Sequence, residues 1–111
     1  MNYNGKKFRS ISNTANGEVS SETIFQYHQT GNIVTAEYAG GGIVFGHLIA
    51  LVDAEGCLAM RYHHVNSQGD LQTGVCRSVP ELLANGRVML HETWQWTSGD
   101  GSSGHSVIEE F

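Results

Sequence analysis

The sequence predicts an all-β fold, an eight-stranded antiparallel up-and-down (meander) barrel built by residues 1–111 as one domain. Short runs rich in β-branched and aromatic residues are separated by turn signals at intervals of about one strand length. No segment between these runs is long enough for a crossover helix, so neighbouring strands should be antiparallel. Such a meander would leave two open edges, and closure into a barrel removes them.

Eight candidate strands follow one another along the chain. The first is KKFRSI at residues 6–11, and the polar residues 12–22 form a longer connection behind it. The other strands are TIFQYHQ (23–29), NIVTAEY (32–38), IVFGHLIALV (43–52), CLAMRYHHV (57–65), LQTGVCRSV (71–79), RVMLHETWQWT (87–97) and HSVIEEF (105–111).

Most connections carry residues that favour tight turns. They share Gly, Asn, Asp or Ser and lie at residues 29–32, 40–42, 53–56, 66–70 and 98–104. Asn85-Gly86 predicts a tight hairpin because both residues tolerate positive φ. Residues 79–84 leave two alternatives, a helical turn capped by Ser78 or a strand broken at Pro80. No long helix is expected.

Alternation along each strand predicts which side chains face the barrel interior. The more apolar set of each run is taken as the inner one, which places Arg61 and His63 outside. Cys76 should face inward with Gly74 and Ser78, whereas Cys57 should face outward, so no disulfide is expected between them. The other predicted inner residues are Phe25, Tyr27, Val34, Ala36, Tyr38, Leu58, Met60, Tyr62, His64, Val88, Leu90, Glu92, Trp94 and Trp96.

The run at residues 43–52 is apolar on both faces, unlike the other strands. A strand of this kind must be covered from outside as well as inside, and a partner subunit is the simplest cover. We therefore expect a homo-oligomer, a dimer or a tetramer; alternatively the N-terminal segment or residues 12–22 cover this patch. The predicted interface residues are Ile43, Phe45, His47, Ile49 and Leu51.

Glu92 is the main chemical anomaly of the predicted interior, because a buried unpaired carboxylate is unfavourable. It could orient a ligand, act as a general acid or base, or bond to Tyr38, Tyr62 or His64 as a satisfied polar cluster. An eight-stranded barrel is just wide enough to hold one small ligand, and aromatic walls suit such a pocket. The predicted ligand-binding residues are Tyr38, Tyr62, His64, Cys76, Glu92, Trp94 and Trp96.

Composition and residue spacing argue against several other classes of protein and of binding site. A net charge of −5 leaves little basic surface for nucleic acid. The chain has no apolar run long enough to span a membrane, and no secretory signal follows the cations at its start, so we expect a cytoplasmic protein. The six histidines show no ligand spacing, so no metal site is expected. No nucleophile motif, nucleotide loop or cofactor site is indicated, and catalytic residues are unknown.

Two stretches resemble avidin-like barrels, a family related in architecture to the lipocalins. They are NIVTAEYAGGGIVFGHLIALV at residues 32–52 and TWQWTSGDGSSGHSVIEEF at residues 93–111, with its Trp-x-x-Thr-Ser-Gly strand end. The resemblance implies that Trp94 matches a biotin-contacting tryptophan and Tyr38 a ligand-contacting tyrosine. Asn13, Ser20 and Ser21 lie near the position of that family's polar ligand-binding loop.

The whole chain also resembles short bacterial proteins labelled N-acetylglutamate synthase, through YNGKxF, GEVSSETIF, GHLIALVD, MRYH, HETWQWTSGD and IEEF. That resemblance implies acetyl-CoA bound by a Gly-rich loop and a helix N-terminus, neither of which the sequence predicts. The favoured hypothesis is therefore a non-enzymatic barrel that binds a small molecule. The alternatives are an acetyltransferase or other enzyme using Glu92 with His64 or Tyr62, and a structural or interaction subunit.

Overall fold

The computed structural model describes residues 1–111 and forms a closed antiparallel barrel of eight strands in sequence order. It contains no helix, so the predicted fold class and the strand count are confirmed. The strands are β1 (Lys7–Asn13), β2 (Ile24–Thr30), β3 (Ile33–Gly40), β4 (Ile43–Val52), β5 (Leu58–Asn66), β6 (Leu71–Leu82), β7 (Val88–Trp96) and β8 (Ser103–Glu110).

The barrel closes where β1 pairs with β8, with Phe8 opposite Glu110 and Ser10 opposite Ile108. A bulge between Ser10 and Ser12 interrupts this last ladder. Because every strand has a neighbour on both sides, the sheet exposes no continuous edge to pair with another chain. The long β1–β2 connection, residues 14–23, lies at one end of the barrel, and the β2–β3 turn lies at the other.

The β6–β7 turn differs from the tight Asn-Gly hairpin that the sequence predicts. The Leu83 amide bonds to the Arg87 carbonyl at 2.8 Å, so three residues lie between the paired positions. Only Gly86 has positive φ, at 86°, and the Asn85 side chain accepts a hydrogen bond from the Arg87 amide. This is the three-residue hairpin in which glycine occupies the left-handed position.

Both alternatives at residues 79–84 are wrong, because β6 runs without a break through Pro80 to Leu82. The register explains why proline is tolerated there. Pairing with β5 ends at Ser78, opposite Leu58, while pairing with β7 continues to the end of β6. Pro80 therefore has a neighbouring strand on one side only, which is where proline occurs in sheets.

The predicted inner faces are confirmed by burial along β2, β3, β5 and β7. At the end opposite the β1–β2 connection the interior is filled by side chains. Tyr3, which precedes β1, plugs this end and donates a hydrogen bond from its hydroxyl to the Gly56 carbonyl. The residues packed there without solvent exposure include Tyr3, Phe8, Tyr27, Leu58 and Leu90.

The prediction for the start of β4 is wrong. Ile43, expected on the outer face, is 3% exposed and belongs to the core, while Val44 faces outward and is 62% exposed. The cause is a bulge between Ile43 and Phe45 opposite the end of β5, which shifts the alternation by one residue. The rest of β4 follows the prediction, with Phe45, Ile49 and Leu51 exposed.

Cys57 is also placed differently from the prediction. The sequence predicts that its side chain faces outward, but only 8% of the residue is exposed. It lies in the turn before the first residue of β5, so the alternation of that strand does not extend to it. Cys76 is buried on the inner face as predicted, and both thiols are free.

Candidate functional site

The interior holds a cavity of about 50 Å³ at the end closed by the β1–β2 connection. Gly17, Glu18 and Val19 of that connection line it from above, and Asn13 lines it from the end of β1. The structure brings all the predicted ligand-binding residues to its wall: Tyr38, Tyr62, His64, Cys76, Glu92, Trp94 and Trp96. That these residues bind a ligand stays a prediction.

Three aromatic rings of the cavity wall lie over glycines of the adjacent strand. Tyr38 is opposite Gly46, Tyr62 is opposite Gly74, and Trp94 is opposite Gly104. A Cβ atom at any of these glycines would collide with the ring that covers it. The missing side chains therefore let the rings lie close against the wall, and the space between them is the cavity.

Glu92 projects from the middle of β7 into the interior, and its remaining accessible surface faces the cavity. Burial raises the pKa of this carboxyl, and hydrogen bonds from Ser78 and Ser106 only partly oppose the shift. Ser78 Oγ lies 2.7 Å from Oε2 and Ser106 Oγ lies 3.2 Å from Oε1. The expected bonds from Glu92 to Tyr38, Tyr62 or His64 are absent, because hydroxyls of the adjacent strands β6 and β8 satisfy it instead.

Several side chains near Glu92 also have raised pKa values. Burial raises the pKa of the Cys76 thiol, and the nearby Glu92 carboxyl adds to the effect, so this cysteine is a poor nucleophile. Burial likewise raises the pKa values of Tyr38 and Tyr62. The Tyr27 hydroxyl is buried without any hydrogen-bond partner. None of these four side chains is basic.

A second polar cluster lies at the mouth of the cavity. His64 Nε2 donates to Glu18 Oε1 at 2.7 Å, and Asn66 Nδ2 donates to Glu18 Oε2 at 2.8 Å. The other ring nitrogen of His64, Nδ1, lies 2.9 Å from the Tyr38 hydroxyl. The imidazole is thus fixed between strand β3 and the β1–β2 connection, with only 1% of its side chain exposed.

Both tryptophan indoles of the chain donate hydrogen bonds to residues in or next to the β1–β2 connection. Trp94 Nε1 donates to Asn13 Oδ1 at 3.2 Å, and Trp96 Nε1 donates to the Asn16 carbonyl at 3.0 Å. Asn13 in turn donates to the Val19 carbonyl. The β1–β2 connection is therefore held over the mouth mainly by polar contacts, with Val19 as the one hydrophobic residue of the segment packed against the core.

Several of these groups lie outside the site that the sequence predicts. The sequence predicts Glu18 only as part of a polar connection, and no neighbouring residue indicates that its side chain reaches the barrel interior. Asn66 is predicted as a turn residue. Its side-chain oxygen does accept hydrogen bonds from the Gln68 and Asp70 amides, and its side-chain nitrogen donates to Glu18. Of the loop residues noted from the resemblance, Asn13 lines the cavity, whereas Ser20 and Ser21 do not.

The outer apolar face of β3 and β4 is not covered by any other segment of the chain. We use the name outer apolar face for Ile33, Val44, Phe45, Ile49 and Leu51, each of which is exposed. His47, between Phe45 and Ile49, is half-buried against His63, with ring centroids 5.7 Å apart. The N-terminal segment lies at the plugged end and the β1–β2 connection at the mouth, so neither covers this face.

The geometry corresponds to a known family. A family model described as Avidin-like protein matches residues 1–111. The chain belongs to the avidin-like family. This agrees with the first resemblance, whereas the N-acetylglutamate synthase labelling finds no support. No curated protein and no solved structure matches the chain.

No helix long and apolar enough to cross a membrane is present.

Proposed function

We propose that this avidin-like barrel binds a small, partly apolar molecule in the cavity beneath the β1–β2 connection, without catalysing a reaction on it. The observation that carries this proposal is the asymmetry of the interior. One end is filled by side chains, whereas the other holds an aromatic-walled space with a protonatable acid at its base. Membership of a family that binds small ligands such as biotin supports it.

The size of the cavity indicates how a ligand enters. About 50 Å³ holds a few water molecules, whereas pockets for small organic ligands measure roughly 300–1,000 Å³. We expect the additional volume to be made where Glu18 and Val19 of the connection line the cavity. Because this segment buries little apolar surface, displacing it is less unfavourable than displacing a strand. Ligand binding therefore requires the connection to move outward.

Glu92 has a defined role in this proposal. Burial favours its protonated form, which can donate one hydrogen bond as well as accept others. The surrounding rings of Tyr38, Tyr62 and Trp94 supply apolar walls with polar edges. We expect Glu92 to orient the ligand rather than to exchange protons with it, because no histidine or tyrosine is bonded to it as a catalytic partner.

Tryptophan fluorescence tests the proposal directly, because both tryptophans line the cavity. Native mass spectrometry of protein purified from its own cells should show a retained small molecule. Removing that molecule should shift the emission spectrum, and adding it back should restore the spectrum. If the protein carries no adduct and no member of a broad metabolite library alters the emission, the proposal is wrong.

We further propose that the outer apolar face binds a second copy of this chain, as members of the family typically form oligomers. Ile49 lies near the centre of this face, between Thr35 of β3 and Arg61 of β5. In sedimentation velocity the parent should be a dimer or tetramer. Ile49→Lys should dissociate it, whereas Leu82→Lys, at an equally apolar exposed position on β6, should not. A parent that stays monomeric at all concentrations would contradict the proposal.

A further inference from the structure

His47 and His63 form a cross-strand pair on the outside of the barrel. They lie directly opposite each other on β4 and β5, with ring centroids 5.7 Å apart. Two imidazoles that bind one metal ion place their ring centres roughly 5–6 Å apart, because each metal–nitrogen bond measures about 2.0–2.1 Å. The strand register therefore brings together two side chains of metal-ligating type that show no ligand spacing along the sequence.

The ring nitrogens of this pair are free, unlike those of the other histidines. Neither His47 nor His63 has a side-chain hydrogen bond, and an imidazole nitrogen without a partner is available to a metal ion. The other four of the six histidines lie within hydrogen-bond distance of another side chain: His28 of Glu37, His64 of Tyr38 and Glu18, His91 of Glu81, and His105 of Thr93.

Apolar residues flank the histidine pair on both sides along the strands. Phe45 and Val65 are opposite each other on one side, and Ile49 lies on the other side, opposite Arg61. Phe45 and Ile49 belong to the outer apolar face, whose proposed cover is a second copy of the chain. Such a cover removes water from both imidazoles, and a buried polar group without a partner is unfavourable. The pair therefore needs a new partner in the assembled protein.

One copy of the chain holds only half of a zinc site at this pair. Protein-bound structural zinc is almost always four-coordinate and tetrahedral, and the chain has no group of three or more potential ligands. Glu37, opposite His47 on β3, is bonded to His28 at 3.0 Å. A second copy related by a twofold axis supplies the same two rings from the other side. Facing sheets pack about 10 Å apart, so imidazoles from both copies can reach one ion between them.

We propose that the His47 and His63 rings of two copies bind one zinc ion between the outer apolar faces of a dimer. This inference rests on the proposed self-association and names the ion that completes the interface. Four neutral imidazoles satisfy the tetrahedral preference of zinc, and the ion replaces the water that the rings lose. Metal binding is thereby coupled to assembly, because each copy holds half of the ligands.

The charges around the pair are compatible with a bound cation. Arg61 lies two positions before His63 on the outer face, and Glu37 lies on the opposite side of His47. The formal charges of these two flanking residues offset each other. The Arg61 guanidinium donates through Nη1 to the Met60 carbonyl at 3.1 Å. The chain as a whole carries a net charge of −5, which attracts cations to its surface.

Sedimentation velocity of metal-free protein, with and without zinc chloride, tests the inference. The parent is treated with EDTA, dialysed, and measured with about half an equivalent of zinc per chain. Zinc should lower the dissociation constant of the dimer at least about tenfold, because an ion that binds only the dimer stabilises it. Titration calorimetry should give one zinc ion per two chains. Cobalt(II) in place of zinc should produce the intense visible absorption of a tetrahedral complex.

Substitution of one histidine of the pair should remove this response. His63→Ala deletes one ring of each copy, so zinc should no longer change the dissociation constant. His91→Ala is the matched control, because His91 is also exposed but is bonded to Glu81 on the adjacent strand, and it should respond to zinc as the parent does. Near-ultraviolet circular dichroism establishes that both variants are folded, and His47→Ala repeats the test at the other ring.

The outcomes separate the inference from the proposed self-association. If the metal-free parent associates and zinc leaves its dissociation constant unchanged, the inference is wrong and the proposed oligomer stands. If zinc binds to single chains without promoting association, or if His91→Ala loses the response together with His63→Ala, the inference is again wrong. If the parent stays monomeric both with and without zinc, the inference and the proposed self-association are both contradicted.

Discussion

The two ends of this barrel are closed by different means. At one end Tyr3 lies across the opening and packs with Tyr27, Phe8 and their neighbours into an apolar plug. At the other end the β1–β2 connection is held by polar contacts of Glu18 and by the indole of Trp96, with little apolar burial. Apolar packing resists local opening, whereas polar contacts can be exchanged for water or a ligand. The difference indicates which end stabilises the fold and which end serves binding.

Truncation at the plugged end should have the largest effect. Leu90 is fully buried among the packed side chains, so Leu90→Ala should destabilise the protein by about 2–5 kcal/mol. Val19→Ala in the connection should change the free energy of unfolding by less than about 1 kcal/mol. Urea denaturation of the two variants measures both values. Similar losses in the two variants would mean that the ends contribute equally.

The second largest loss of stability is expected where the aromatic rings pack against glycines. Gly46→Ala places a methyl group against the buried ring of Tyr38, which is also tied to His64, and should cost about 1–3 kcal/mol. Gly42→Ala is the control, because its nearest neighbour, the Glu18 carbonyl oxygen, would lie 3.4 Å from the new atom. Thermal melting should separate the two variants. A Gly46→Ala protein as stable as the control would show that the cavity wall yields easily.

A smaller, pH-dependent effect is expected at Glu92. Burial raises its pKa in the folded state above the ordinary value of 4.5. Below pH 4.5 the carboxyl is protonated in both the folded and the unfolded state, and it makes its full contribution to stability. That contribution is lost as the pH rises through the raised pKa. The glutamine of Glu92→Gln stays neutral at every pH. The free energy of unfolding of this variant should therefore exceed that of the parent by about 1–2 kcal/mol at pH 8, and by little or nothing at pH 4. Urea titrations at both pH values measure this, and a constant difference between parent and variant would contradict it.

Much of the fold follows from local features of the sequence. Alternation of apolar and polar residues gave the correct inner faces of β2, β3, β5 and β7, and turn residues marked the strand ends. The errors occur where pairing overrides alternation. The bulge that turns Ile43 inward depends on the register with β5, and the continuation of β6 through Pro80 depends on where β5 ends. Neither register can be read from a single strand.

The candidate site was likewise predicted only in part from the sequence. The wall of the cavity could be predicted because Glu92, Trp94 and Trp96 are two positions apart on one strand. Alternation along that strand is enough to place their side chains on the inner face. Its closure was not predicted, because Glu18 reaches His64 only through a long connection that has no periodic pattern. The serines that satisfy Glu92 come from strands on either side of β7 and are brought to it by register.

Native-state hydrogen exchange of the tryptophan indoles tests most directly the claim that the connection opens while the barrel stays folded. The indole N–H groups of Trp94 and Trp96 should exchange orders of magnitude faster than the core amides of β7 and β8, with rates that hardly change in low concentrations of urea. Binding of a ligand in the cavity should slow the indoles selectively. If both indoles exchange as slowly as the core amides and with the same dependence on urea, the mouth opens only when the whole protein unfolds, and the account is wrong.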